Sequence, residues 1–317
     1  MTDIIRLTAG IDTAKDKLDV AVHGSPARLS FPNDKLGWKQ IATELRRCGV
    51  NWVGIEPTGG YERGVTEHLR TAGWTVLVMQ PARVKAYAKH LGLRAKNDRL
   101  DAALIAAAAH VLDAPSVAPD ARFAAFGDHL TYIEQIEEDI ERAKPRAEHL
   151  RLPWLRLRSA HEIKRLRKIR REELQRLMHA LRAAPDLAQR LALVLSVPGI
   201  GDRTAIAIIV RMPELGQISR EEAAALAGLA PFDDDSGKHR GARHIAGGRD
   251  RLRHSLYAAA LPAAFRWNPA LMAMYARLVK AGKKHKVALI ACARKLLIYA
   301  NTVVARGTPW VKDAACA

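Results

Sequence analysis

The sequence predicts a mixed α/β domain followed by a mainly helical chain, and three observations carry that reading. Short apolar runs of strand character, bounded by glycine, proline and aspartate turns, are confined to the stretch that ends near Met79. From about residue 130 onward, apolar residues recur instead at three- and four-residue spacing, as along one face of a helix. The chain has 317 residues, 49% of them hydrophobic and 26% charged, enough for two or three domains with cores of their own.

The elements follow in order. Ile4 to Ile11 is an apolar run that ends at Gly10-Ile11-Asp12, and Lys17 to Val22 resumes it, so a hairpin is expected across residues 12–16. A third strand is expected at about Ala27 to Phe31. Lys35 to Cys48 carries helical spacing (Leu36, Ile41, Leu45) and stops at Gly49. Trp52-Val53-Gly54-Ile55 is a buried-type strand that ends in Glu56, and Pro57-Thr58-Gly59-Gly60 turns the chain into a helix from Tyr61 to about Ala72. Trp74 to Met79 is a further strand, and Pro81 opens the next helix. Lys96-Asn97-Asp98-Arg99-Leu100-Asp101 begins an Ala/Leu-rich helix that runs to about Val111. Hairpin strands first and βα units later give a mixed sheet covered by helices. That order matches the ribonuclease H-like fold, in which the first and fourth strands lie side by side with their C-terminal ends at one edge.

Four acids fall at that edge: Asp12 after the first strand, Glu56 after the fourth, and Asp98 with Asp101 on one helix face, three residues apart. Any one of them reads most simply as a solvated turn acid or a helix cap. Together they repel one another unless cations neutralise them. Mg²⁺ suits the set because it takes oxygen ligands and works with phosphate, and two such ions about 4 Å apart clamp the oxygens of a phosphoryl transfer. Lys96 and Arg99 flank the acids and add phosphate-binding charge.

The net charge of +18 favours a polyanionic partner, and nucleic acid is the expected one. A membrane is not expected, since no apolar run approaches the roughly 20 residues of a span and the N-terminus lacks a signal peptide's apolar core. Cys48, Cys292 and Cys316 are few and far apart, which argues for a reducing cytoplasm without disulfides or a cysteine metal site.

Pro115 to Pro119 reads as a linker after the first domain, 1–115. In the middle region, 116–190, Leu130, Ile133, Ile136, Ile140 and Ala143 mark an amphipathic helix able to form a coiled coil or bundle. Pro145 and Pro153 are expected to interrupt or kink it, with a second helix from Ile163 to Leu181. Between Arg151 and Arg171, which includes Arg165, Arg167, Lys168 and Arg170, Glu162 is the only acid. Such a run is commonly a solvated helix face, but its nearly uniform sign favours a phosphate-tracking surface or a dimerising arm.

The last part, 191–317, opens with Val197-Pro198-Gly199-Ile200-Gly201, a turn between helices like that of helix-hairpin-helix motifs. Gly199 and Gly201 there can let backbone N–H groups approach phosphate. An Ala/Leu helix follows from Glu221 to Leu229. Ser236 then sits beside Gly237, between Asp233-Asp234-Asp235 and a basic stretch with Lys238, Arg240 and Arg243. By itself, Ser-Gly after acids is a turn or a cap. Helices are expected over 249–264 and 268–281, with a long, mostly apolar final helix over 286–304.

Gly-Ile-Asp12, Glu56-Pro-Thr-Gly-Gly-Tyr61, Lys96-Asn-Asp98-Arg-Leu-Asp101, Val-Pro-Gly-Ile-Gly201 and Ser236-Gly237 occur in one order. That order resembles the DEDD transposases of bacterial insertion sequences, the bridge-RNA-guided recombinases, over nearly the whole chain. The resemblance implies a RuvC-like N-terminal domain, a coiled-coil middle and a serine-bearing C-terminal transposase domain. It implies that Asp12, Glu56, Asp98 and Asp101 bind Mg²⁺ and that Ser236 attacks a DNA phosphodiester, forming a transient phosphoserine link. It also implies donor and target DNA, a structured guide RNA, and a homo-oligomer, dimer or tetramer, whose subunits share composite sites. A cytoplasmic, nucleoid-associated protein is expected. A metal-dependent, structure-selective nuclease of the Holliday-junction resolvase type and a non-catalytic nucleic-acid-binding protein are the alternatives.

Overall fold

The computed structural model describes residues 7–92, 98–111, 120–232, 235–236, 239–241 and 243–311. The chain divides into two compact units, Met1–Ala118 and Pro119–Ala317.

The first unit is built on a five-stranded sheet: β1 (Thr8–Thr13), β2 (Lys17–Val22), β3 (Arg28–Pro32), β4 (Trp52–Ile55) and β5 (Thr75–Val78). Their spatial order is β3-β2-β1-β4-β5. β1 pairs antiparallel with β2 and parallel with β4, so the first and fourth strands are neighbours, as expected. Helices α1 (Lys35–Arg47) and α2 (Arg63–Thr71) cover one face, where Ile11, Val53 and Ile55 meet Ile41, Leu45, Val65 and Leu69. Each of those leucines and isoleucines contributes roughly 1.5–3 kcal/mol through burial. α1 starts where it does because the Asp34 side chain accepts the backbone N–H groups of Leu36 and Gly37.

The other face receives α3 (Pro81–His90) and α4 (Asp98–Val111), with Leu77, Met79, Val84 and Ile105 packed between them. α4 lies close on the strands because two of them carry glycine beneath it. A Cβ on Gly10 of β1 would collide with the Ala102 carbonyl oxygen and the Ala106 backbone nitrogen. A Cβ on Gly54 of β4 would lie 2.7 Å from the Ala109 Cβ and 3.0 Å from the Met79 sulfur. The Thr8 hydroxyl donates to the Ala106 carbonyl at 3.2 Å and ties the helix to β1.

The second unit is helical. α5 (Arg122–His149) and α6 (Pro153–Ala183) pack along each other. Pro145 does not interrupt α5, which runs four residues past it. The position lies near the helix end, where its missing N–H removes one backbone bond from a helix already held by packing. Pro153 takes the first position of α6, where that N–H is not needed, so this helix begins ten residues before the expected Ile163. α7 (Pro185–Leu195), α8 (Asp202–Arg211) and α9 (Arg220–Leu226) follow. Two short ribbons come next: β6 (Pro231–Phe232) with β9 (His244–Ile245), and β7 (Asp235–Ser236) with β8 (His239–Arg240). α10 (Asp250–Pro262), a π-helical segment (Ala263–Trp267), α11 (Pro269–Lys280) and α12 (His285–Arg306) complete it.

By length and composition α12 matches a membrane-crossing helix, with a mean hydropathy of 1.6, which corrects the expectation that no run comes close. Half of that window is buried, and Leu289, Cys292, Leu296, Leu297 and Val303 lie in the core with residues of α7, α8 and α10. That is the pattern of a core helix.

Candidate active site

The acidic site grows from a repeated tripeptide. Gly10-Ile11-Asp12 and Gly54-Ile55-Glu56 lie on adjacent parallel strands, and the register sets Gly10 against Gly54 and Ile11 against Ile55. Asp12 therefore falls inside β1, not after it, because pairing with β2 continues through Asp12↔Asp19 and Thr13↔Leu18. Side chains alternate along a strand, so Asp12 shares the face of Gly10, the face on which α4 lies. Glu56 follows directly on β4.

The loops around this edge are tied to one another. The Thr13 hydroxyl donates to the Glu56 carbonyl at 3.2 Å. The Glu62 carboxylate accepts the backbone N–H groups of Thr58 and Gly60, each at 3.0 Å, and holds the turn after Glu56. The Asn33 amide bridges the Ala14 and Tyr61 carbonyls at 2.9 and 3.1 Å.

Three acids act on one another here. The Asp12 carboxyl is pushed up to about 6, first by burial and then by the negative charges of Asp101 and Glu56, with Asp19 adding to them. The Thr13 backbone N–H pulls the other way and does not offset the rest. Asp19 has its own cation, Lys17, at 2.8 Å. The structure thus brings Asp12, Glu56 and Asp101 into one electrostatic neighbourhood.

Asp98 opens α4, one helical turn before Asp101; of its side chain and that of Arg99 nothing is described. Lys96 lies outside the described residues. Among the described residues no three acidic, histidine or cysteine side chains stand close enough to hold a metal ion. The donor set nonetheless fits a hard divalent cation: all carboxylate oxygens, half-buried, and mutually repelling without a positive charge.

Other predicted residues fall in the second unit. Ser236 belongs to β7 and pairs with His239 across the ribbon, so its backbone is in a hairpin arm and not in an open loop. Arg240 is on β8, Arg243 is exposed, and Lys238 lies outside the described residues. Gly199 adopts φ +96°, and a Cβ there would collide with Ala263, so close packing on the π segment requires glycine. Gly201 caps α8 and faces open space.

The basic run on α6 is less uniform in charge than its sequence implies. Arg165 pairs with Glu162 at 2.6 Å, Lys168 with Glu172 at 3.8 Å and Arg170 with Glu137 of α5 at 3.7 Å. Arg167 is exposed. Acids from outside the run supply part of the counter-charge.

Sequence reasoning passed over Gly10 and Gly54 as site residues, although the doubled Gly-Ile-acid pattern signals them. It also passed over Glu134, whose side chain is 8% exposed and accepts from Arg251 at 2.7 Å, Arg203 at 3.4 Å and Arg211 through Nε at 3.2 Å. These partners lie on α8 and α10, far from it in sequence, and Glu137 joins them by pairing with Arg203 at 2.9 Å.

Two family models match the chain. One, described as a transposase of the DEDD type, covers residues 9–150, and the other, the transposase IS116/IS110/IS902 family, covers residues 191–276. Among curated proteins, the chain is 26% identical over 316 residues to the pilin gene-inverting protein of Moraxella bovis, covering 96% of this chain and 97% of that one. The pilin gene-inverting protein of Moraxella lacunata matches with the same identity and coverage.

Proposed function

The chain belongs to the DEDD transposase family of bacterial insertion sequences, which makes it a DNA transposase or recombinase, and from that premise we propose that it cuts and rejoins DNA with the acidic sheet edge and Ser236. The observation that carries the acidic half is the rise of Asp12 to about 6 under Asp101 and Glu56. A family of this type implies dependence on a divalent metal. We take that metal to be Mg²⁺, held by Asp12, Glu56, Asp98 and Asp101. When bound, it supplies charge stabilisation for a phosphoryl group and its attacking and leaving oxygens.

The protein's own groups do the rest. The edge orients the scissile phosphate and excludes stray carboxylate protonation, while Ser236 supplies the nucleophile. The serine hydroxyl gives up its proton, its oxygen bonds to phosphorus, and the bond from phosphorus to a deoxyribose oxygen breaks. The freed sugar hydroxyl takes a proton. In the reverse step, a hydroxyl from the other strand attacks the phosphoserine and releases the serine. One phosphoester is exchanged for another, so strand joining needs no separate energy source. Rejoining, as opposed to hydrolysis, is supported by the relatives named for inverting a gene, since inversion needs both cutting and resealing.

The proposed division of labour is acids in 1–115, backbone-tracking helices in 116–190 and nucleophile in 191–317. With an excess of 18 positive charges and no evident base-reading helix, sequence choice is assigned to a structured RNA that pairs with donor and target DNA. Acids and serine are drawn from different subunits of a homo-oligomer that works on DNA in the cytoplasm.

The test is a denaturing-gel search for a covalent protein–DNA adduct, with Mg²⁺, element-end DNA and RNA from the element's flank. An adduct formed by the wild type and lost in Ser236→Ala is expected. Cleaved DNA in equal amount from both proteins, without adduct, would replace this reading with a metal-dependent nuclease.

A further inference from the structure

The C-terminal end of the described chain forms a second site, remote in sequence from the acids and from Ser236. α12 ends at Gly307, which takes the left-handed conformation (φ +65°) and turns the tail back along the helix. The Trp310 backbone N–H donates to the Ser196 hydroxyl at 2.8 Å, pinning the tail to the end of α7. Between tail and helix lies a cavity of ≈ 380 Å³. Its wall on α12 comes from Lys295, Tyr299, Thr302 and Arg306, spaced four, three and four residues apart and so on one helix face. Arg220 at the start of α9 and Trp310 complete it.

Two features point to a ligand class. The lining includes three cations and no acid. Arg220 touches Glu221, at 2.6 Å, but among the described residues Lys295 and Arg306 have no carboxylate partner. The aromatic rings of Tyr299 and Trp310 stand 4.5 Å apart at 58°, and the Lys295 ammonium lies 5.1 Å from the Tyr299 ring centre. Aromatic faces beside unpaired cations are what a base with its phosphate uses, whereas an acidic peptide would leave the rings unmatched. The volume suits a small ligand, and bases inside a duplex cannot reach such a recess.

We propose that this cavity is a subsite for single-stranded nucleic acid, one base packing against Tyr299 and Trp310 while the adjoining phosphates lie on Arg220, Lys295 and Arg306. The inference rests on the reading of the chain as an enzyme that handles DNA, and adds where an unpaired strand is held.

The experiment uses the full-length protein with fluorescent hexathymidylate and hexauridylate, too short to span several surfaces, across a salt series. Trp310→Ala is expected to weaken binding about tenfold, as loss of one stacked base does, and Trp310→Phe to retain it within about threefold. Arg306→Glu, on an exposed side chain, is expected to flatten the salt dependence by about one counterion. Cross-linking of a 5-iodouracil hexamer is expected on the peptide that carries Trp310 or Tyr299. The two probes show whether DNA or RNA is the source, and preference for either supports the site. Unchanged affinity in Trp310→Ala and Arg306→Glu, or cross-links solely elsewhere, overturns it. So does thymidine monophosphate displacing the hexamer at equal concentration, which would make the cavity a free-nucleotide pocket. A protein that still forms the Ser236 adduct while failing these tests contradicts the cavity alone.

Discussion

The two units gather buried acids in opposite ways. At the sheet edge, Asp12 feels Asp101, Glu56 and Asp19, all negative, and its carboxyl rises to about 6. In the helical unit, Glu134 is more deeply buried yet surrounded by Arg203, Arg211 and Arg251. A buried carboxylate needs compensation, and where the protein supplies it the group is a structural clamp. Where the protein withholds it and adds further acids, the compensation is left to a ligand, and the group belongs to a site.

The largest effect expected from breaking this contrast is on activity. Asp12→Ala should lower DNA cleavage roughly 10²-fold or more, the loss of several kcal/mol of charge stabilisation at about 1.4 kcal/mol per decade, as measured on labelled element-end DNA. Next comes Glu134→Ala, which strands three arginines around an empty position. It should destabilise the protein by about 3–5 kcal/mol in urea unfolding. If Glu134→Ala instead removed activity at unchanged stability, the division between clamp and site would fail.

Gly10→Ala tests how the acids are brought together. The new methyl group meets α4 backbone, so a loss of about 1–3 kcal/mol is expected, together with reduced cleavage because α4 carries Asp98 and Asp101. The smallest effect belongs to exposed charge. Arg165→Ala, which breaks an exposed pair with Glu162, should leave stability within about 0.5 kcal/mol while lowering the salt slope of DNA binding by about one.

How far the sequence discloses this arrangement depends on the range of the interactions. The strand order was legible because each strand carries its own apolar run, and Trp52–Ile55 with Glu56 after it emerges as read. The position of Asp12 within β1 was not, since the strand is extended by pairing with β2, a partner interaction. Likewise Pro145 marks a break in a local reading, yet α5 continues through it under the packing of α6. The ribbon holding Ser236 has two-residue strands, too short for any period to register. The Glu134 clamp joins residues 69 to 117 positions apart, and no spacing rule reaches that far. The acids of the edge were legible as types in slots. What the sequence could not disclose is that α4 sits on Gly10 and Gly54 closely enough for Asp101 to act on Asp12.

The account turns on the edge lacking compensation until a cation binds, and thermal melting with and without Mg²⁺ tests this most directly. In the folded protein Asp12 holds its proton to about pH 6, whereas the unfolded chain releases it near 3.8. Its contribution to stability is therefore lost as pH rises through that window in the presence of a chelator. At pH 7, Mg²⁺ should raise the melting temperature of the wild type, and Asp12→Asn should melt higher than wild type in chelator and respond less to Mg²⁺. A wild type indifferent to Mg²⁺, with Asp12→Asn no more stable in chelator, would contradict the claim that these acids form a cation-dependent site.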